Sequence, residues 1–281
     1  MLPNDLLSSL GRRVFDPHLR DALGEMVKYR LLVSTLVMRE LKARYRGSFL
    51  GFLWSFLNPL LLMLIYTLVF SVYLRMDSSA IGGPYAMFLF SGLLPWTWFL
   101  SSILEGSSSI IANGNLVNKA LFPPEILPTV SVLSNFVHFL LGLPILALFL
   151  LAFGIVPTHH VVLLPVLMVI QGAFTLGVTL ALATMNVYLR DLQHILGNVM
   201  TLWFFITPII YPVSAIPAGF KVTTYLNPMA PLIAAYQDIL FYRRWPQSPV
   251  ALGVVALFAV VVAAWGYSVM IRSRDEFPEE V

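Results

Sequence analysis

Long uncharged stretches alternate with short charged segments along most of this chain. No Asp, Glu, Lys or Arg occurs within 47–74, 78–104, 126–189, 192–220 or 245–271. A membrane-spanning helix takes roughly 20 apolar residues, so the stretch 126–189 is long enough for two, joined by a turn near 154–157. The pattern predicts an all-α membrane protein with six transmembrane helices, at about residues 50–73, 86–108, 127–153, 161–187, 194–213 and 250–271.

The segment 222–237 is apolar and uncharged but differs from the six spans. It is short, and Pro228 and Pro231 interrupt it, so a continuous crossing helix is not expected. We interpret it as a re-entrant outer helical hairpin between spans five and six, packed against both, with Asn227 bonding the backbone at its turn.

Residues 24–48 have the pattern of an N-terminal amphipathic interface helix. One side carries apolar residues and the other carries Lys28, Arg39, Lys42 and Arg46. Such a helix lies at the inner interface, with its apolar side in lipid and its cations toward headgroups. It acts either as a simple positive anchor or as a lever that passes force into span one. Glu40 and Arg44 are spaced to form an ion pair.

Composition and charge support this topology. Hydrophobic residues make up 58% of the chain and charged residues 11%, with a mean hydropathy of +0.83, and a soluble domain needs about twice that charge. Thirteen of the 17 Lys and Arg fall on the N-terminal side of the predicted topology, which predicts cytoplasmic termini. Residues 1–23 and 273–281 are then cytoplasmic tails flanking the spans at 49–272. A net charge of +3 gives no reason to expect a nucleic acid partner.

No chemistry of a catalytic, cofactor or metal site stands out. The chain lacks cysteine and any Gly-Lys pair, so it has no phosphate-binding loop of the usual kind. Glu105, His138 and the pair His159–His160 are isolated, and no relay of ionisable groups crosses the spans. If ATP drives this protein, we expect a separate polypeptide to bind it.

Four segments resemble the permeases of type-2 ABC exporters for cell-surface polysaccharides, which include the O-antigen, capsule and teichoic acid exporters. They are RELKARYRGSFLGFLWSFLNP at 39–59, NKALFPPEILP at 118–128, NVYLRDL at 186–192 and NPMAP at 227–231. The likeness covers roughly residues 25–272 in order. Pro124 stands where the family pattern often has a basic residue. This difference implies that one contact to the nucleotide-binding subunit differs from the family's.

The resemblance implies a homodimer in the bacterial inner (cytoplasmic) membrane, paired with two copies of an ATPase subunit that holds ATP and Mg. It implies a coupling helix at about 110–124 and a lipid-linked polysaccharide as substrate, with O-antigen favoured. The residues that it places against the ATPase are Asn118, Lys119, Phe122, Arg190 and Asp191.

Several aromatic residues near the span ends are candidates for lining a sugar pathway, although an interfacial aromatic belt would look similar. They are Trp54, Trp96, Trp98, Trp203, Phe204, Tyr211 and Tyr236. Two other functions stay open at this point. One is a type-2 permease for a small drug or lipid, and the other is a membrane-embedded glycosyltransferase or polymerase, for which Asp238 would be the candidate acid.

Overall fold

The computed structural model describes residues 28–44, 47–74, 81–118, 122–189, 191–220 and 222–280, and this part of the chain is helical without strands. The tail 1–23, the first residues of the interface helix and the positions Arg46, Lys119, Arg190 and Lys221 lie outside it. The helices are α1 Arg30–Arg44, α2 Trp54–Tyr66, α3 Tyr85–Ala112, α4 Gly114–Val117, α5 Ile126–Ala152, α6 Leu164–Tyr188, α7 Leu192–Ile206, α8 Val222–Leu226, α9 Met229–Leu240, α10 Pro249–Ser273 and α11 Phe277–Glu280.

Each predicted span contains an apolar helix, but the helices differ in length. Four stretches among the described residues are long and apolar enough to cross a membrane: α3, α5, His159–Tyr188 (which includes α6) and α10. The helices of spans one and five, Trp54–Phe70 and α7, are shorter. The all-helical membrane architecture is therefore confirmed, with four candidate crossings by length.

The predicted end of span five, at residue 213, is wrong. The helix α7 ends at Ile206, and Thr207 is extended, with φ −84° and ψ 135°. Pro208 follows, and a proline disfavours helical backbone at the residue before it. Span one keeps its predicted end, although its last part, Thr67–Tyr73, winds as a π-helix.

The turn expected after span three is present. Gly154 has φ +77°, a conformation that glycine adopts at little cost. Its amide donates to the carbonyl of Leu151 at 3.0 Å, and the amide of Ile155 donates to that of Leu150 at 2.8 Å. These bonds close the end of α5 and let the chain reverse toward α6.

The core is built around α3, which is buried along most of its length and packs against α5, α6 and α9. The most extensive helix pair is α6 with α10. Their axes approach closely at Gly177 and Gly266, because a Cβ added to Gly177 would lie 2.5 Å from the carbonyl oxygen of Val262. Small residues allow this kind of close packing between membrane helices.

Part of the apolar surface of α1 packs against protein, and apolar side chains also occur on its exposed side. Leu36 is buried in a cluster with Ile126 and Val130 at the start of α5, and Leu41 is buried as well. The first turns of α5 therefore cover part of this face, whereas Leu31 and Met38 stay exposed. The placement of α1 at a lipid interface stays a prediction. The cations Lys28, Arg39 and Lys42 are exposed.

Candidate functional site

A polar network joins the end of α1 to spans two and three. The guanidinium of Arg44 donates to the carboxylate of Glu105 at 2.5 Å, and the amide of Asn135 donates to the same carboxylate oxygen at 2.7 Å. A longer bond of 3.4 Å joins Arg44 to the amide oxygen of Asn135. We call these three residues the inner polar network. It connects the interface helix mechanically to α3 and α5.

The ion pair expected between Glu40 and Arg44 is replaced by the one with Glu105, because Arg44 extends toward α3. Glu40 instead lies half-buried against the network. Burial raises the pKa of its carboxyl group, and the neighbouring Glu105 carboxylate raises that pKa further, while the Arg44 charge opposes both. Glu105 looked isolated in the sequence, and no pattern there marked Asn135.

A cavity of about 180 Å³ opens beside this network, between α2, α3 and α5. Two of the candidate aromatic residues, Trp54 and Trp98, line it, together with Asn58, Asn135 and His138. The indole of Trp54 donates to the hydroxyl of Ser48 at 2.8 Å. The cavity therefore combines aromatic faces with hydrogen-bonding groups, and His138, which looked isolated in the sequence, belongs to it.

The other aromatic candidates fall into two groups. Trp96 packs against Trp203 and Phe204, with ring centroids 6.4 and 5.9 Å away. Trp96, Trp98 and Tyr236 are buried inside the protomer, whereas Trp54, Trp203, Phe204 and Tyr211 keep part of their surface exposed. In this conformation the second group offers exposed aromatic surface to a passing ligand, while Trp98 reaches open space only at the wall of the cavity.

The residues expected to face the ATPase belong to the chain that follows α4 and the chain that follows α6, which we call the inner loops after their predicted side. Asn118 and Asp191 are exposed, and Phe122 is half-buried between the α1 cluster and the cluster around Val117. The helix α3 extends to Ala112, so among the described residues of the expected coupling segment 110–124, which leave out 119–121, the four residues of α4 form a separate helix. Phe122 joins the cluster of α1 with the start of α5, so it lies at the same end of the bundle as the inner polar network.

The segment 222–237 forms two helices, α8 and α9, with a turn at Asn227 and Pro228. The side chain of Asn227 accepts from the indole of Trp203 at 2.8 Å and from the amide of Met229 at 3.0 Å, and it donates to Thr207 at 2.9 Å. The expected role of Asn227 at the turn is thus confirmed. The helix α9 packs chiefly against α3 and α6, and also against α10.

The connection from α9 to α10 is fixed by Asp238. Its buried carboxylate accepts from the Arg244 guanidinium at 2.7 Å and from the amide of Gln247 at 3.1 Å. The guanidinium also lies 4.4 Å from the ring centre of Tyr242. Asp238 is therefore a structural group. Among the described residues no cluster of three or more His, Asp or Glu could hold a metal ion.

Comparison with known proteins agrees with this architecture. A family model described as ABC-2 type transporter matches residues 32–241. The chain is 45% identical to an O-antigen export system permease protein RfbA of Myxococcus xanthus, over 92% of this chain and 98% of that protein. It is 31% identical to a protein of the same name from Klebsiella pneumoniae, over 90% and 98%. A polysialic acid transport protein KpsM of Escherichia coli is 23% identical, over 88% and 95%. The chain belongs to the ABC-2 type transporter family and is a membrane-embedded permease subunit that works with a separate ATPase, rather than an enzyme.

Proposed function

We propose that this chain moves a lipid-linked polysaccharide outward across a bacterial inner membrane, as a homodimer with two copies of the ATPase subunit. Both RfbA relatives are named for O-antigen export, and this name supports O-antigen as the substrate. The observation that carries the proposal is a row of polar side chains on span five.

His194, Asn198 and Thr201 lie on one side of α7 at helical spacing, and all three are exposed in the protomer. Phe205 continues the row and is 56% exposed. The amide of Asn198 donates to the carbonyl of His194 at 3.3 Å, and the hydroxyl of Thr201 donates to that of Gly197 at 2.8 Å. These bonds reduce the cost of facing hydrocarbon but leave further polar atoms on each side chain, so the row favours water or a second subunit as its neighbour. A pathway between two copies of the chain satisfies this requirement.

The orientation of α7 is fixed from its buried side. The amide of Gln193 donates to the carbonyl of Leu104 in α3 at 2.9 Å, and Leu196 and Met200 are buried in the core. The polar row therefore points away from α3. An apolar row that includes Ile195 and Val199 lies beside the polar row on the surface of α7 and is also exposed. This apolar row suits a contact with lipid or with the second copy of the chain.

Aromatic residues beside this row are the other part of the proposed pathway. Phe205 lies in the row itself. Trp203 and Phe204 lie on the side of α7 that packs on Trp96 and, with Tyr211 and Trp54, keep only part of their surface exposed. Aromatic faces stack on sugar rings with little directional demand, so they let a glycan slide. We assign Trp96, Trp98 and Tyr236 to the core instead, because they are buried.

The inner loops are the proposed docking surface for the ATPase. Asn118 and Asp191 are exposed there, and Lys119 and Arg190 are their direct neighbours in the chain. Phe122 supports the first loop from within by packing on the α1 and α4 clusters.

The interface helix, the hairpin and the termini complete the proposed topology. The exposed side of α1 carries Lys42 together with Leu31 and Met38, which are 75% and 52% exposed, and this mixture suits the boundary between headgroups and acyl chains. We assign both termini to the cytoplasm, six crossings to the chain and a re-entrant position to α8 and α9. An impermeant thiol reagent added outside should label cysteines at both Lys221 and Gln247, whereas labelling from opposite sides would show a seventh crossing.

The pathway is tested by cysteine accessibility, since the natural chain has no cysteine. Cysteines at Asn198 and Thr201 should react with a small hydrophilic thiol reagent in the assembled exporter, and the modification should block export. Cysteines at Val169 and Leu257, which are 72% and 69% exposed but carry apolar side chains in the native protein, are the matched controls and should stay unreactive. Equal reactivity at all four positions would refute the assignment of α7 to the pathway.

The alternative of a glycosyltransferase loses its candidate acid, because Asp238 is buried and bound to Arg244. A drug or small-lipid permease would use the same polar row. Such a permease would differ from a polysaccharide exporter in its substrate, and transport of a glycan or of a small drug by the reconstituted complex distinguishes the two.

A further inference from the structure

The C-terminal segment, residues 274–280, folds back onto the inner end of the bundle. After α10 ends at Ser273 the chain turns and forms α11. Phe277 at the start of α11 is fully buried, with 0% exposure. A free acidic tail would leave such a side chain in water, so this part of the chain is a folded element.

The buried ring of Phe277 belongs to a cluster that gathers several helix ends. The cluster includes Ile110 from the end of α3, Val117 from α4, Val187 from the end of α6 and Met270 from α10. The helix α11 contacts both α4 and α6. One aromatic side chain therefore stands where the first inner loop, span four and span six meet.

A polar contact attaches the same segment beside the second inner loop. The hydroxyl of Tyr188 donates to the carboxylate of Glu276 at 2.6 Å. Tyr188 is the last residue of α6, three positions before the exposed Asp191. The C-terminal segment thus holds the first loop through Phe277 and borders the second through Glu276.

The first loop needs such support. The helix α4 has four residues, and a single helical turn is not stable by itself in water. Its position depends on side chains that pack against it, and Val117 is its buried contact. Phe122 supports it from one side, and α11 supports it from another.

We propose that the C-terminal segment holds the inner loops in the geometry that receives movement from the ATPase, with Phe277 as a positioning residue for transport. The inference rests on the proposed docking of the ATPase at these loops. Loss of Phe277 leaves the pathway intact but lets α4 move independently of α3 and α6. ATP hydrolysis then continues while less of it is converted into export.

The first experiment tests the placement and does not depend on any substrate. Two cysteines, one beside Val117 in α4 and one beside Phe277 in α11, are introduced together into the membrane-embedded complex and treated with a short bifunctional maleimide. The pair used is Asn118 with Pro278, the exposed neighbours of Val117 and Phe277, because the reagent cannot reach buried thiols. We expect efficient intramolecular cross-linking, and none for the control pair of Pro278 with Phe220, which lies near the hairpin. An Asn118–Pro278 pair that cross-links no better than the control would overturn the proposal.

The second experiment tests the role by measuring export and ATP hydrolysis in the same proteoliposomes. Phe277→Ala should insert and bind the ATPase, and its export per ATP hydrolysed should fall at least fivefold. Phe277→Leu should restore most of the ratio, and Phe220→Ala, which removes a ring that is 65% exposed, should leave it unchanged. An unaltered ratio in Phe277→Ala, or a failure of the leucine variant to restore it, would contradict a positioning role.

The outcomes separate this inference from the proposed function. If the wild-type complex exports no polysaccharide but the Asn118–Pro278 pair cross-links, the substrate assignment fails and the fold of the C-terminal segment stands. If the Phe277→Ala variant fails to insert into the membrane, the Tyr188→Phe variant is tested in its place. This second variant deletes only the hydroxyl group that bonds to Glu276. That variant should lower the ratio about twofold, and an unchanged ratio would count against the proposal.

Discussion

Replacing Gly177 by alanine should separate the most extensive helix pair of the protein. A Cβ at this position would lie 2.5 Å from the carbonyl oxygen of Val262 and 2.5 Å from the amide nitrogen of Ala263. These are backbone atoms of α10, so no side chain can rotate to make room, and the helices must move apart by about 1 Å to reach ordinary contact. Inserting a methyl group into a close-packed interface costs about 1–3 kcal/mol.

The assay compares Gly177→Ala with Gly253→Ala by equilibrium unfolding in mixed micelles. Gly253 lies in α10, and a Cβ there would meet nothing within 4 Å. Both changes gain about 1 kcal/mol of helix propensity, so the difference between them isolates the packing cost. We expect Gly177→Ala to be less stable than the control by about 1–3 kcal/mol. Equal stability of the two variants would refute the close approach of α6 and α10.

Three further predictions concern polar groups. Glu105→Gln should destabilise the fold by about 1 kcal/mol, since the pair with Arg44 is partly exposed, and exchanging the two residues should restore part of the loss in the same unfolding assay. Asn227→Leu removes partners from Trp203, Thr207 and Met229, and it should cost at least about 2 kcal/mol; a smaller loss would show that the turn does not depend on this side chain. The fold raises the pKa of the Glu40 carboxyl group above its ordinary value of 4.5, so the folded protein holds this proton more tightly than the unfolded chain does. The stabilisation from the protonated group is fully present below about pH 4.5 and is lost as pH rises through the raised pKa. Glu40→Gln should therefore flatten the stability profile above pH 4.5, and an unchanged profile would refute the burial of this group.

The positions of the helices could be predicted from the sequence, because charged residues are rare and mark the ends of the apolar stretches. Each uncharged stretch holds a helix where the pattern predicted one, and the turn at Gly154 and the helix break at Asn227 were also foreseen. The end of span five was missed, although the signal was present, because Pro208 restricts Thr207. The uncharged stretch continues to Phe220, so apolar length alone extends the predicted span beyond this helix end.

The contacts that build the site could not be predicted in the same way. Arg44 and Asn135 are 91 positions apart, and local spacing favoured Glu40 as the partner of Arg44. The apolar face of α1 looked suited to lipid because an amphipathic pattern does not reveal whether protein or lipid covers it. Phe277 stands alone among acidic residues near the end of the chain, and this isolation was a signal that the tail is folded.

Reconstitution tests the central claim most directly. The chain and its ATPase subunit are placed in proteoliposomes with the cytoplasmic side outward, and lipid-linked polysaccharide from the same organism is added to the outer leaflet. ATP should drive the glycan into a protected position inside, at a rate that falls when a hydrophilic reagent modifies a cysteine at Asn198. The chain without its partner should neither hydrolyse ATP nor move the glycan. Robust ATP hydrolysis by the chain alone, or ATP-driven transport of a small drug while the glycan stays accessible outside, would contradict the account.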